Sequence, residues 1–249
     1  QFALTGGQPH VHPVVWHTAR QERDSLGVDA IHCTVLTGGT MKHLQFVHWL
    51  AIAFVVFFAA MAVDPVSRTV WVAEVIPVVL VFLGLVFTFR HFRFSNTAYA
   101  LMAFWLFWHT IGGHYTFANV PFDWFSQLIG SQRNQFDRIA HFSVGFYAYP
   151  TAEWMLRRGH CKYVPANIFA LLLVMGIAAG YEIIEWWYAV LEGGDAGIEF
   201  LGSQGDIWDA QKDMLADTLG AVAALALFAI VRPDRDRHAA AVGPGATHD

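Results

Sequence analysis

Long apolar runs decide what this chain can fold into. Val70–Phe89 and Leu44–Val63 are apolar almost throughout, and a helix of about 20 such residues crosses the hydrocarbon core of a bilayer. Charged residues make up only 14% of the chain, against about a quarter in a soluble domain. The fold class read from this is all-α, a polytopic membrane helical bundle of about six transmembrane helices. The expected spans are Leu44–Val63, Val70–Phe89, Thr97–Ala118, Asp137–Leu156, Pro165–Leu191 and Asp213–Val231. The third, fourth and sixth carry ionisable residues and score lower on hydropathy. The fifth is longer than a bilayer requires, so its end at Glu182–Leu191 is expected to emerge at the interface.

The domain organisation follows from the runs: a polar segment at 1–40, a six-span membrane domain at 41–232 and a disordered tail at 233–249. Residues 1–40 are rich in Gly and His, have no apolar period and contain no secretory h-region. Met41-Lys42 sits directly before the first span, so a start there is expected, with 1–40 not native to the protein. Basic residues set the orientation. Lys42, Arg90, Arg93, Arg157, Arg158, Lys162, Arg232, Arg235 and Arg237 fall on one side of a six-span arrangement, and only Arg68, Arg133, Arg138 and Lys212 on the other. Lys and Arg in short loops stay in the cytoplasm, which places both termini there. The net charge of -5 carries no nucleic-acid signal, and Cys33 and Cys161 form no metal or disulfide pattern.

Polar residues then gather at the other face. His109 and His114 close the third span, Asp137 and His141 open the fourth, and Glu182 and Glu185 lie toward the end of the fifth. Asp206, Asp209, Asp213 and Asp217 run down into the sixth. Residues three or four apart share a helical face, so three helices each offer a polar stripe at one depth. Bare buried carboxylates are costly. Their compensation must come from protons, from Arg133 and Arg138, or from a metal ion. Asp206 and Asp209 also read as loop or capping residues, His109 as a satisfied interior histidine, and Glu192, Asp195 and Glu199 as loop charge. Trp105, Trp108, Trp186 and Trp187 read as packing and interface belt. Asp137, His141, Glu182, Glu185, Asp213 and Asp217 are harder to dismiss, because ionisable residues inside spans mark functional sites.

Four strings carry a resemblance: Gly112-Gly113-His114-Tyr115-Thr116-Phe117-Ala118-Asn119-Val120-Pro121, Arg133-Asn134-Gln135-Phe136-Asp137-Arg138-Ile139-Ala140-His141-Phe142, Tyr181-Glu182-Ile183-Ile184-Glu185-Trp186-Trp187, and the stretch Leu201–Met214. Together they resemble the YjdF-type bacterial inner-membrane family over about Met41 to Val231. The resemblance implies an architecture rather than an activity. More distantly the chain is similar to VanZ-like membrane proteins, whose pattern implies Gln where Glu185 stands and Asn where Asp217 stands. Both departures replace an amide with a carboxylate and favour a cation in the site.

These residues support three expectations. The first is a metal-dependent hydrolase or transferase acting on a lipid headgroup or lipid-linked envelope precursor. It has His141, Glu182, Asp213 and Asp217 as ligands of a divalent metal ion and Glu185 or Asp137 as general base. His114, Asp209, Arg133 and Arg138 surround them. Mixed His and carboxylate ligation suits zinc, manganese or iron, whereas acids alone suit magnesium or calcium. The second is a non-enzymatic sensor or assembly factor binding a metal ion or protons. Acids confined to one side argue against a transport route. The third is a structural polar core with Arg133 and Arg138 and no ligand. Membrane lipids are the expected partners, with no nucleic acid.

Overall fold

The computed structural model describes residues 45–234. The expectations for 1–40, for Met41-Lys42 and for the tail beyond 234 lie outside them, as do Cys33, Arg235 and Arg237. Among the described residues the regular structure is helical: α1 (Phe46–Met61), α2 (Arg68–Thr88), α3 (Asn96–Tyr115), α4 (Asp123–Leu128), α5 (Phe136–Val144), a 3-10 turn (Gly145–Tyr147), α6 (Ala148–Arg157), α7 (Tyr163–Glu192), α8 (Gly194–Leu201) and α9 (Asp209–Val231).

Three of the six expected spans become helices long and apolar enough to cross a bilayer, α2, α7 and α9. α1 is apolar but has only 16 residues, about 24 Å at 1.5 Å per residue. α3 and the α5–α6 run occupy the third and fourth expected spans, but neither is among those three helices. The fourth span is not one α-helix. Pro150 stands in the first turn of α6 and has no N–H for the carbonyl four residues back, so the chain tightens into the 3-10 turn just before it. Short helices α4 and α8 fill two connections. The segment of Glu192 and Asp195 is therefore mostly helical rather than loop, with both residues exposed.

Local chemistry sets the ends. Ser67 and Ser95 cap α2 and α3 by accepting from the amides of Val70 and Ala98. α3 stops where Thr116 and Phe117 turn left-handed. At the far end of the molecule, fully buried Glu153 of α6 accepts from the Ser95 amide and hydroxyl, both at 2.8 Å, and pairs with Arg157. That end therefore holds a buried acid, where the sequence suggested almost none.

α9 is the pivot. It packs on α5, α6, the 3-10 turn and α7, while α3 carries α1, α2 and α5. Much of the core is small: Ala98, Ala148, Ala152, Ala170, Ala221 and Ala224 surround Tyr149 and Phe228. Small residues let helices approach closely, the packing mode of membrane bundles. Gly145 and Gly220 make the tightest approach, each set against the other helix's backbone. Large apolar side chains such as Phe87, Leu172, Leu191 and Ile230 point outward, the reverse of a water-soluble surface.

Candidate functional site

α5 and α9 meet through their four-residue stripes. α5 turns Asp137 and His141 toward α9, and α9 turns Asp209, Asp213 and Asp217 back. His141 Nδ1 lies 3.2 Å from Asp217 Oδ2. Its Nε2 lies 3.6 Å from Asp137 Oδ1 and 3.8 Å from Asp213 Oδ1. Ligand atoms of Asp137, His141 and Asp213 all fall within 4.8 Å of one another, so the three could hold one metal ion.

Arg133 and Arg138 supply positive charge to the same acids. Arg138 places Nη1 at 2.5 Å from Asp213 Oδ1 and Nη2 at 2.7 Å from Asp209 Oδ1. Arg133 Nη2 reaches Asp209 Oδ1 at 2.7 Å and Asp137 Oδ2 at 3.1 Å. Its Nη1 donates to the Ser203 carbonyl at 2.6 Å. The loop after α8 is docked further by Gln204, whose side-chain amide accepts from the Asn134 backbone N–H and donates to the Asn134 carbonyl. Gly202 ends α8 in a left-handed conformation, which glycine adopts without steric cost. Asp206 lies at the edge. Its hydrogen bonds from Lys212 and the Trp208 amide hold its carboxyl below the ordinary range.

A cavity of about 360 Å³ opens beside this network. Four helices line it with the same gradient. Along α7 the lining runs from Leu173 and Ile177 through Tyr181 to Glu185. Along α5 and α6 it runs from Thr151 and Val144 to His141 and Asp137. Along α2 it runs from Val81 to Glu74. One end is thus acidic and the other apolar, over about 18 Å of rise from Leu173 to Glu185 on α7. Arg133 and Arg138 are not in its wall.

The expected site residues divide accordingly. Asp137, His141 and Asp217 line the cavity, and Asp213 sits behind them in the ion-pair network. Glu185 lines it too, 9% exposed and without a hydrogen bond or ion pair among the described residues. Glu182, three residues away, is not in the wall, and one of its carboxylate oxygens is buried without a hydrogen-bond partner among the described residues. His114 does not join. Its Nδ1 lies 2.7 Å from the Met61 carbonyl, at the end of α1. Trp108 stacks on Phe136 at 4.3 Å, while Trp186 and Trp187 are exposed.

Sequence reasoning missed Glu74. This buried acid of α2 lies 3.1 Å from His109 Nε2, and the Tyr181 hydroxyl donates to it at 3.2 Å. Its signal was available: a single carboxylate in an otherwise apolar span. His109 has the interior partner expected of it, but it also faces the cavity.

Comparison with known proteins supplies the remaining observations. The family model described as "Predicted membrane protein (DUF2238)" matches residues 46–234. The chain is 35% identical over 168 residues to "Inner membrane protein YjdF" of Escherichia coli (strain K12), covering 66% of this chain and 79% of that protein. No solved structure matches.

Proposed function

Because this chain belongs to the DUF2238 family of predicted membrane proteins, we propose that it binds an amphiphilic, lipid-linked molecule within the bilayer and carries out acid–base chemistry on its polar group. Hydrolysis or group transfer is the reaction class. The observation that carries this reading is the two-ended cavity, apolar at Leu173, Ile177 and Val81 and acidic at Asp137, Glu185 and Asp217. A chain fills the first end and a headgroup meets the second. His141 is the proton-transfer group. Asp217 orients its ring through Nδ1, leaving Nε2 toward Asp137, the arrangement in which a carboxylate fixes a working imidazole. In the expected topology of about six spans, with both termini cytoplasmic, this chemistry faces the extracytoplasmic leaflet.

A second reading adds a divalent cation, favoured by the grouping of Asp137, His141 and Asp213. The donor set fits zinc, manganese or iron, although the ion must share Asp213 with Arg138. One purified preparation in nanodiscs tests both readings. Lipid extraction and mass spectrometry should find a retained amphiphile, depleted by Ile177→Trp, which fills the apolar end. His141→Gln should keep the amphiphile and lose its turnover. Absence of any retained or exchangeable amphiphile overturns the first reading and leaves a sensor, an assembly factor or a purely structural core. If a cation is resident, hundredfold excess over its dissociation constant stabilises the fold by about 2.7 kcal/mol, and Asp213→Asn abolishes that protection. Equal melting in chelator and in metal removes the cation.

Orientation has its own test. A periplasm-active reporter should be silent after Val231 and active when inserted between Gly202 and Trp208. The reverse pattern moves the site to the cytoplasmic face.

A further inference from the structure

We infer that the acidic end of the cavity receives an organic ammonium group, so that the amphiphile carries a positive charge at its head. This rests on the amphiphile reading above and names the chemistry of the polar end. Four carboxylates line that end: Glu74, Asp137, Glu185 and Asp217. Their internal partners are unequal. Glu74 is held by Tyr181 and His109, and Asp137 Oδ2 by Arg133. Asp217 gives Oδ2 to His141, while its Oδ1 is buried with no hydrogen-bond partner among the described residues. Glu185 has no partner among them and is nine-tenths buried in the wall.

A buried carboxylate with no donor is unfavourable in the empty protein and becomes favourable when a cation arrives. The two arginines cannot serve, because neither lines the cavity and both are engaged behind it. An anionic headgroup would meet four carboxylates with only His109 and His141 to offset them. Aromatic rings complete the fit. Phe117 and Tyr181 line the same end, beside His109 and Glu74, and a cation over such faces gains further stabilisation, more when desolvated. The apolar shaft supplies what holds the rest of the molecule. The ligand is therefore a long-chain amine or an amine-bearing lipid, with the ammonium between Glu185 and the aromatic wall.

The test uses the full chain in phosphatidylglycerol nanodiscs, which bring no ammonium group of their own. Hexadecylamine, hexadecyl phosphate and hexadecanol are added separately, and native mass spectrometry reads the retained adduct. The expected result is retention of the amine over the alcohol by about tenfold, equivalent to one good charged contact, with the phosphate weakest. Glu185→Gln should bring amine and alcohol to parity, and Asp195→Asn, exposed on α8 and outside the wall, should keep the preference. Parity of amine and alcohol in the parent protein overturns the ammonium assignment and leaves the amphiphile reading standing. Preferred retention of the phosphate also overturns it, and loss of that preference in chelator would point to a metal-bridged anion. Retention of none of the three overturns both readings together.

Discussion

Arg138→Ala should leave little folded protein. The guanidinium holds Asp213 at 2.5 Å and Asp209 at 2.7 Å, and it also donates to the Asp209 carbonyl at 3.1 Å. Asp209 retains Arg133 when Arg138 is removed. Among the described residues Asp213 is left with only His141 Nε2, at 3.8 Å. Breaking a buried pair by deleting one partner costs about 3–5 kcal/mol, because the remaining charge has no compensation. Arg138→Lys should recover only part, since a point charge cannot bridge two carboxylates as a planar fork does. Arg138→Ala combined with Asp213→Asn should be more stable than Arg138→Ala alone, because the stranded charge is gone. Thermal melting of the purified protein reads all three. A single variant as stable as the parent would show that the network contributes no stability.

Gly220→Val is the second large effect. A Cβ at Gly220 points into the Phe142 carbonyl, with the Gly145 Cα 3.3 Å away. The obstacle is backbone on a packed helix, so no side chain can rotate aside. The expected loss is about 3 kcal/mol, the upper part of the overpacking range, together with loss of the His141–Asp217 contact, because α5 must move off α9. Gly176→Ala is the matched control. Nothing lies within 4 Å of its added Cβ, and alanine improves an interior helix position by up to about 1 kcal/mol. Equal melting temperatures for Gly220→Val and Gly176→Ala would contradict the close crossing.

What was legible in the sequence was whatever repeats along a helix. The run at α2 announced itself by its apolar length; the one at α1 did too but forms a shorter helix, whereas α9, expected to score lower for its acids, is apolar enough to cross. Asp137–His141 and Asp209–Asp213–Asp217 showed by steps of four. Arg133 and Arg138 could be named as compensating charges because the acids required some. Spacing was too coarse for Glu182 and Glu185. Three residues turn a helix by about 300°, which leaves the two on neighbouring lines, and only Glu185 enters the wall. Glu74 itself stood out as a lone acid in an apolar span, but its pairing with His109 and Tyr181 was not legible, because those partners lie 35 and 107 positions away. The shape of the fourth span depended on Pro150 and on the crossing of Gly145 with Gly220, contacts that no local period encodes.

Arg133 is shared between two kinds of partner. Its guanidinium neutralises Asp137 and Asp209 and at the same time holds the carbonyls of Gly202 and Ser203. The loop after α8 is thereby fastened to the site's charge balance. If the loop lifts and carries the arginine with it, two carboxylates are stripped of their counter-charge. If the arginine stays behind, the loop leaves two carbonyls without their donor. Either way, access to the acidic end and its electrostatic state change in one step, and a molecule that neutralises those acids also sets how easily the loop departs.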